Sequence, residues 1–172
     1  MQDELKTMIR EIRDFPKPGI LFYDISTLLK DRKGLRSVID LLTEQYEGQF
    51  VQKVIGIESR GFIFAPSIAY NLEAGFVLVR KKGKLPAETV EVRYDLEYGQ
   101  DILEMHKDAI EPGERVLIVD DLIATGGTAA ATAQMVSDQG GEVVALAFIV
   151  ELEGLKGRER LQDYEVFSLL KY

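Results

Sequence analysis

Four short runs, residues 53–58, 76–80, 115–121 and 142–150, are nearly unbroken in apolar side chains and rich in Val and Ile. They do not alternate, so they predict strands covered on both faces rather than half-exposed ones. Between them the spacing predicts helices over residues 63–71 and 128–139, the second stopped by Gly140-Gly141, a pair suited to a left-handed cap. Strand, helix, strand, repeated, selects an α/β fold whose central parallel sheet is flanked by helices. Earlier in the chain, Leu35, Val38, Ile39 and Leu42 predict a helix over residues 34–46. Leu5, Met8, Ile9 and Ile12 likewise predict an amphipathic helix over residues 1–15, broken by Phe15-Pro16-Lys17-Pro18-Gly19, with a loop or extended segment through Ile25. One stretch departs from the alternation. Residues 89–93 and 101–105 are β-like runs of mixed polarity around Tyr94-Asp95-Leu96-Glu97-Tyr98-Gly99, which predicts an antiparallel hairpin with a mobile tip.

With 172 residues the chain is the size of one domain, and its apolar segments can all be spent on one core. No apolar run approaches the roughly 20 residues that span a bilayer. Basic residues number 21 and acidic ones 29, a net charge of −8 that repels phosphate polymers and anionic lipid, so neither nucleic acid nor membrane is an expected partner. The charged first residues lack the apolar h-region of a secretion signal, which predicts a cytoplasmic protein. Without cysteine there is no thiolate nucleophile or thiolate zinc site, and one histidine, His106, cannot build a polyhistidine centre. His106 reads as a structural residue closing the hairpin. Hydroxyls, carboxylates, Lys, Arg and backbone amides remain to carry the chemistry.

Ligands of open α/β sheets sit beyond the carboxyl ends of the strands. There, residues 116–128 run from a buried strand into Asp120 and Asp121, then through a Thr-Gly-Gly-Thr turn into a helix. Glycines let backbone N–H groups close on an anion, and the helix N-terminus adds partial positive charge, so the turn reads as a phosphate cradle. It has neither the spacing nor the lysine of a triphosphate P-loop, and no G-x-G-x-x-G. Carboxylates repel phosphate but accept hydrogen bonds from hydroxyls, so an acidic pair beside the cradle points to a ribose 5-phosphate. Taken alone, the two aspartates would equally serve as caps of the turn. The strand over residues 76–80 ends in Arg80-Lys81-Lys82-Gly83-Lys84, suited to a diphosphate, although such a run is usually a solvated loop. Glu58-Ser59-Arg60-Gly61 closes another strand with a cation beside a glycine.

The stretch Val116 to Thr128 resembles the phosphoribosyl-pyrophosphate signature of the type I phosphoribosyltransferases. The likeness is to the members acting on adenine, and runs through Phe15-Pro16-Lys17-Pro18-Gly19-Ile20-Leu21-Phe22-Tyr23-Asp24-Ile25, Glu58-Ser59-Arg60-Gly61-Phe62, Val79 to Pro86, Leu96 to Gly99, His106 to Ile110 and the final Leu169-Leu170-Lys171-Tyr172. It implies a single-domain type I phosphoribosyltransferase fold over residues 1–172, with a hood and base-binding segment at 1–33 and a flexible catalytic hairpin at 86–107. The implied reaction joins adenine to phosphoribosyl pyrophosphate, giving AMP and pyrophosphate, with Mg²⁺ held mainly through the substrate diphosphate and no direct metal ligand from the protein. A homodimer is implied by the resemblance alone.

By the same resemblance, Asp120 and Asp121 hold the ribose hydroxyls, and Ala124, Thr125, Gly126, Gly127 and Thr128 take the 5′-phosphate. Arg60, Arg80, Lys81 and Lys84 face the pyrophosphate. Adenine meets backbone groups around Leu21 and Tyr23 and stacks between Phe22 and Leu122. Glu97 faces adenine N7, as general acid–base or hydrogen-bond partner, and Tyr98 helps close the site; without the resemblance, both read as an exposed hairpin tip. Two other readings share the fold: transfer to another purine base such as hypoxanthine or xanthine, and a non-catalytic nucleotide-sensing regulator. The regulator would need a basic face or an added DNA-reading unit, for which the charge and length leave little room.

Overall fold

In a computed structural model of the chain, residues 2–95 and 100–172 are described. Helix α1 (Gln2–Thr7) precedes strands β1 (Arg10–Arg13) and β2 (Leu21–Asp24), then α2 (Ser26–Leu29) and α3 (Arg32–Tyr46). Strand β3 (Lys53–Ile57), helix α4 (Gly61–Asn71) and strand β4 (Gly75–Lys81) follow. The hairpin strands β5 (Thr89–Asp95) and β6 (Gln100–His106) lead to β7 (Arg115–Ile123), α5 (Gly127–Asp138), β8 (Glu142–Glu151), two short 3-10 turns and β9 (Val166–Lys171).

A seven-stranded sheet runs in the order β5-β6-β4-β3-β7-β8-β9. Strands β4, β3, β7, β8 and β9 are parallel, whereas β6 joins β4 antiparallel through Arg80↔Glu104 and Lys81↔Leu103. Strand alternation divides the core. Val54, Leu117 and Val119 point toward α3 and α4, where Val38, Leu42 and Phe64 are buried, while Ile55, Ile57, Val116 and Ile118 point toward α5 and its Ala133, Met135 and Val136. Helix α3 starts where the Asp31 carboxylate accepts the Lys33 and Gly34 N–H groups at 2.9 Å each, a side-chain N-cap. No helix of the described residues is long and apolar enough to cross a membrane.

Four expectations change. The helix predicted over residues 1–15 stops at Thr7, and Arg10–Arg13 instead pairs antiparallel with Leu21–Asp24. A strand partner from beyond the Pro-Gly break overrides the local helical spacing. Strand β4 is not covered on both faces: Phe76 and Leu78, which share a face, are each 37% exposed, so the apolar segments are not all spent on the core. The hairpin strands run two residues past Arg93 and start one residue before Asp101 in register, pairing Tyr94 with Asp101 and Asp95 with Gln100. Lastly, β9 closes the sheet from a segment in which the sequence reading finds no strand.

Candidate active site

The chain goes from β3 to β4 on one side, then crosses to β7 on the other side of β3. Where the winding direction reverses, the loops after neighbouring strands part and leave a crevice at their carboxyl ends. Residues from three strand ends line a cavity of about 550 Å³ there: Glu58, Ser59 and Arg60 after β3, Lys81 and Lys84 at and after β4, and Asp120 through Ala129 from β7 into α5, with Tyr94 from the hairpin.

On the β7 side, Gly126 has φ 79° and caps α5, so its backbone adopts a left-handed turn that favours glycine. A Cβ there would also collide with the carbonyl oxygen of Gly157, and a Cβ on Gly157 would strike the carbonyl of Ala124. The cradle therefore rests directly on the backbone of the 3-10 turn Gly157–Arg160. Ala124, Thr125, Gly126, Gly127 and Thr128 all line the cavity, where α5 begins with N–H groups that have no partner within the helix.

Asp120 and Asp121 belong to the last residues of β7, which runs on to Ile123. Burial and the neighbouring Asp121 charge push the Asp120 carboxyl well above its usual range. Its Oδ1 accepts the Asp121 N–H at 2.9 Å. Asp121 is 5% exposed; burial raises its carboxyl too, and the Arg60 guanidinium, 2.9 Å away, opposes the rise. Arg60 caps α4, and Gly61 is a glycine because a Cβ would stand 2.8 Å from the Val119 carbonyl oxygen and 3.1 Å from Asp120 Oδ1. The peptide bond between Glu58 and Ser59 is cis.

On the β4 side, a second carboxylate organises the cations. Glu58 accepts hydrogen bonds from Arg80 Nε at 3.2 Å, the Lys81 N–H at 3.0 Å and the Lys84 ammonium. Burial alone would raise its carboxyl, but these donors outweigh it and hold the group at about 2. Arg80 also donates to the Lys84 carbonyl at 3.3 Å and does not line the cavity, unlike the other three cations named from sequence. Lys81 pairs with Asp101 at 3.2 Å, and the Tyr94 hydroxyl donates to the same carboxylate at 3.4 Å. The sequence reading gives Glu58, Tyr94 and Gly157 no role in the site. Glu58 stands in the Glu-Ser-Arg-Gly motif, whose acid is a usable signal; Tyr94 and Gly157 carry none.

A smaller hollow of about 80 Å³ adjoins the first and shares Arg60, Asp121 and Leu122 with it. Leu21, Phe22, Tyr23, Ile25 and Val150 complete its apolar walls. Strand β2 delivers three of these, steadied by Arg10 Nε donating to Asp24 at 3.1 Å, by an edge-on Phe15–Phe22 contact at 5.1 Å and by Tyr23 packed on Tyr172 at 4.1 Å. His106 lines neither cavity. Glu97 and Tyr98, with Leu96 and Gly99, lie outside the described residues.

The sequence pattern of the phosphoribosyl transferase domain matches residues 24–171. The chain belongs to the phosphoribosyltransferase family. The adenine phosphoribosyltransferase of Solibacter usitatus is 65% identical to it over 98% of each chain. Among solved structures, that of adenine phosphoribosyltransferase from Thermoanaerobacter pseudethanolicus superimposes with a TM-score of 0.96 at 50% identity, covering all of both chains. The Saccharomyces cerevisiae enzyme, complexed with an iminoaltritol bisphosphate and adenine, gives a TM-score of 0.94 at 41% identity over 98% of each chain. These phosphoribosyltransferase relatives cover the sheet, its flanking helices and the hairpin strands, so the α/β fold expected from the resemblance is the fold found.

Proposed function

We propose that this phosphoribosyltransferase salvages adenine, transferring the 5-phosphoribosyl group of phosphoribosyl pyrophosphate to it and releasing AMP and pyrophosphate. The observation that carries the reading is the wall of Arg60, Asp121 and Leu122 common to a polar, phosphate-cradling cavity and an apolar slot. A sugar phosphate in the first and a flat uncharged base in the second would meet at that wall, where ribose C1 and the base nitrogen must bond. The identity to adenine phosphoribosyltransferases, one of them complexed with adenine, supports the choice of base.

In the reaction the bond from C1 to the diphosphate oxygen breaks, its electron pair leaving with pyrophosphate, and adenine N9 supplies the pair for the new bond. The N9 proton is lost. Positive charge gathers on the sugar and negative charge on the leaving group. Asp120 and Asp121 accept from the ribose hydroxyls, and the carboxylates complement the cation-like ring. The N–H groups of Ala124 through Thr128 hold the 5′-phosphate. Lys81, Lys84 and Arg60 face the departing diphosphate, while Arg80 acts through Glu58 and the Lys84 carbonyl. Phe22 and Leu122 sandwich the base, whose edge meets backbone groups of Leu21 and Tyr23. Glu97 takes the proton lost from the base or positions it by hydrogen bonding at N7, and Tyr98 helps to close the site.

Among the described residues no three carboxylate or imidazole groups converge on a metal cage. Mg²⁺ would therefore be held mainly through the substrate diphosphate, and the acids that line the same cavity are already engaged, Asp121 with Arg60 at 2.9 Å and Asp120 with the Asp121 N–H at 2.9 Å. When bound, the ion would supply positive charge to offset what builds on the leaving diphosphate. A charged phosphometabolite cannot cross a bilayer unaided, which supports a cytoplasmic setting. The half-exposed Phe76, Leu78 and Ile63 support a homodimer.

The test is AMP formation from adenine and phosphoribosyl pyrophosphate, with and without Mg²⁺, against hypoxanthine as control base. Magnesium-dependent, adenine-selective turnover is expected. Equal turnover of hypoxanthine would refute the base assignment, and tight phosphoribosyl pyrophosphate binding without product would refute the enzyme.

A further inference from the structure

The Thr132 hydroxyl donates to the Thr128 carbonyl at 2.9 Å at the α5 end of the phosphate cradle, whereas the middle of the turn rests on the backbone behind it. Gly126 and Ala124 abut Gly157 so closely that neither Gly126 nor Gly157 tolerates a Cβ. Any movement of Gly157 therefore shifts the cradle N–H groups. The next residue, Arg158, is fixed by four acceptors on two strands: Nε and Nη2 reach Glu151 at 2.6 and 2.8 Å, Nη1 reaches the Val166 carbonyl at 2.7 Å, and Nη2 reaches Ser168 at 3.3 Å. Glu151 ends β8 and is 5% exposed, and Ser168 lies within β9. A planar guanidinium gripped at both edges cannot rotate without breaking several bonds at once.

We infer that Arg158, clamped by Glu151, is a positioning residue for the 5′-phosphate: it sets Gly157, and Gly157 sets the cradle. The inference rests on the reading of residues 124–128 as the 5′-phosphate site. Neither side chain lines that cavity, and β3 and β7 stand in the sheet between β4, which carries the cations, and β8 and β9, which hold the clamp. Their effect should thus fall on one end of the substrate only. A merely structural salt bridge would lower stability and weaken every ligand together.

Calorimetric titration of ribose 5-phosphate and, separately, of magnesium pyrophosphate into wild type, Arg158→Gln and Arg158→Lys reads this directly. Arg158→Gln should weaken ribose 5-phosphate about tenfold, equivalent to roughly 1.4 kcal/mol, with pyrophosphate unchanged within about twofold. Arg158→Lys retains the charge but replaces the planar fork by a single ammonium, and should recover part of the loss; it also keeps the test in hand should the Gln variant fail to fold. Parallel weakening of both ligands, or no change in either, overturns the inference. Failure of the wild type to bind ribose 5-phosphate would overturn the underlying site reading instead, and the positioning role with it.

Discussion

Replacing Asp120 by Asn should make the ligand-free protein more stable while crippling it as a catalyst. Asn keeps the size of the side chain and the Oδ1 acceptor that takes the Asp121 N–H at 2.9 Å. It removes a charge that burial and Asp121 both oppose. Two like charges a few ångströms apart repel by on the order of a few kcal/mol at an effective dielectric constant of about 20. Arg60 offsets part of this through Asp121, but it is 43% exposed on its side chain and so partly screened, leaving about 1–2 kcal/mol of net penalty. For a chain of this size that corresponds to a melting temperature about 3–6 °C higher in the variant. The sign follows from proton binding. With its folded-state pKa raised above the unfolded value of 3.8, Asp120 costs nothing below that value, and stability falls as pH climbs above it until the folded group ionises. Scanning calorimetry at pH 5 and pH 8 should therefore show an advantage for the variant that is larger at pH 8. In turnover, losing a charged acceptor for a ribose hydroxyl should reduce kcat/KM by about 10–100-fold. A variant less stable than wild type at pH 8, or an advantage independent of pH, would refute the buried-repulsion account; unchanged kcat/KM would refute the ribose contact.

Glu58 carries the opposite sign: its carboxyl is held at about 2 against an ordinary 4.5, so its contribution is full above pH 4.5 and drains away as pH falls toward 2. Glu58→Gln should flatten the acid limb of a melting-temperature profile and, by releasing Arg80 and Lys84, raise KM for phosphoribosyl pyrophosphate more than KM for adenine; equal shifts in both would count against the cation-organising role. Gly157→Ala should force its Cβ against the Ala124 carbonyl at a cost of about 1–3 kcal/mol, visible in urea titration, and unchanged stability would show that the turn can yield. Phe22→Ala removes one wall of the hollow proposed for the base and should raise KM for adenine about tenfold with KM for phosphoribosyl pyrophosphate little altered, whereas a loss confined to the latter would move the base elsewhere.

How far these features were legible in the sequence depends on what each one presents to its neighbours in the chain. The strands β3, β7 and β8 and the helices α3, α4 and α5 announce themselves because burial on one or two faces dictates a local residue pattern. The acidic pair and glycine turn are readable for a similar reason, since phosphate and hydroxyl recognition each demand particular groups in a short span. Residues 10–13 were misread because Ile9 and Ile12 fit a helix locally, and only the pairing of Ile12 with Phe22 makes them a strand.

The support behind the cradle is the extreme case. Gly126 and Gly157 meet backbone to backbone, so the requirement on each residue is the absence of a side chain, which an isolated glycine in a loop cannot distinguish from ordinary turn usage. Glu151 and Arg158 become partners because the chain turns back on itself after β8 and β9 then pairs beside that strand. A short sequence separation made the pair possible, but the sheet made it rigid: Val166 and Ser168 supply the second edge of the grip, and both depend on a strand register that no local pattern encodes. An acidic pair and a glycine turn can thus be read from local chemistry, whereas the residues that hold that turn's backbone in place become visible only once the strand order is known.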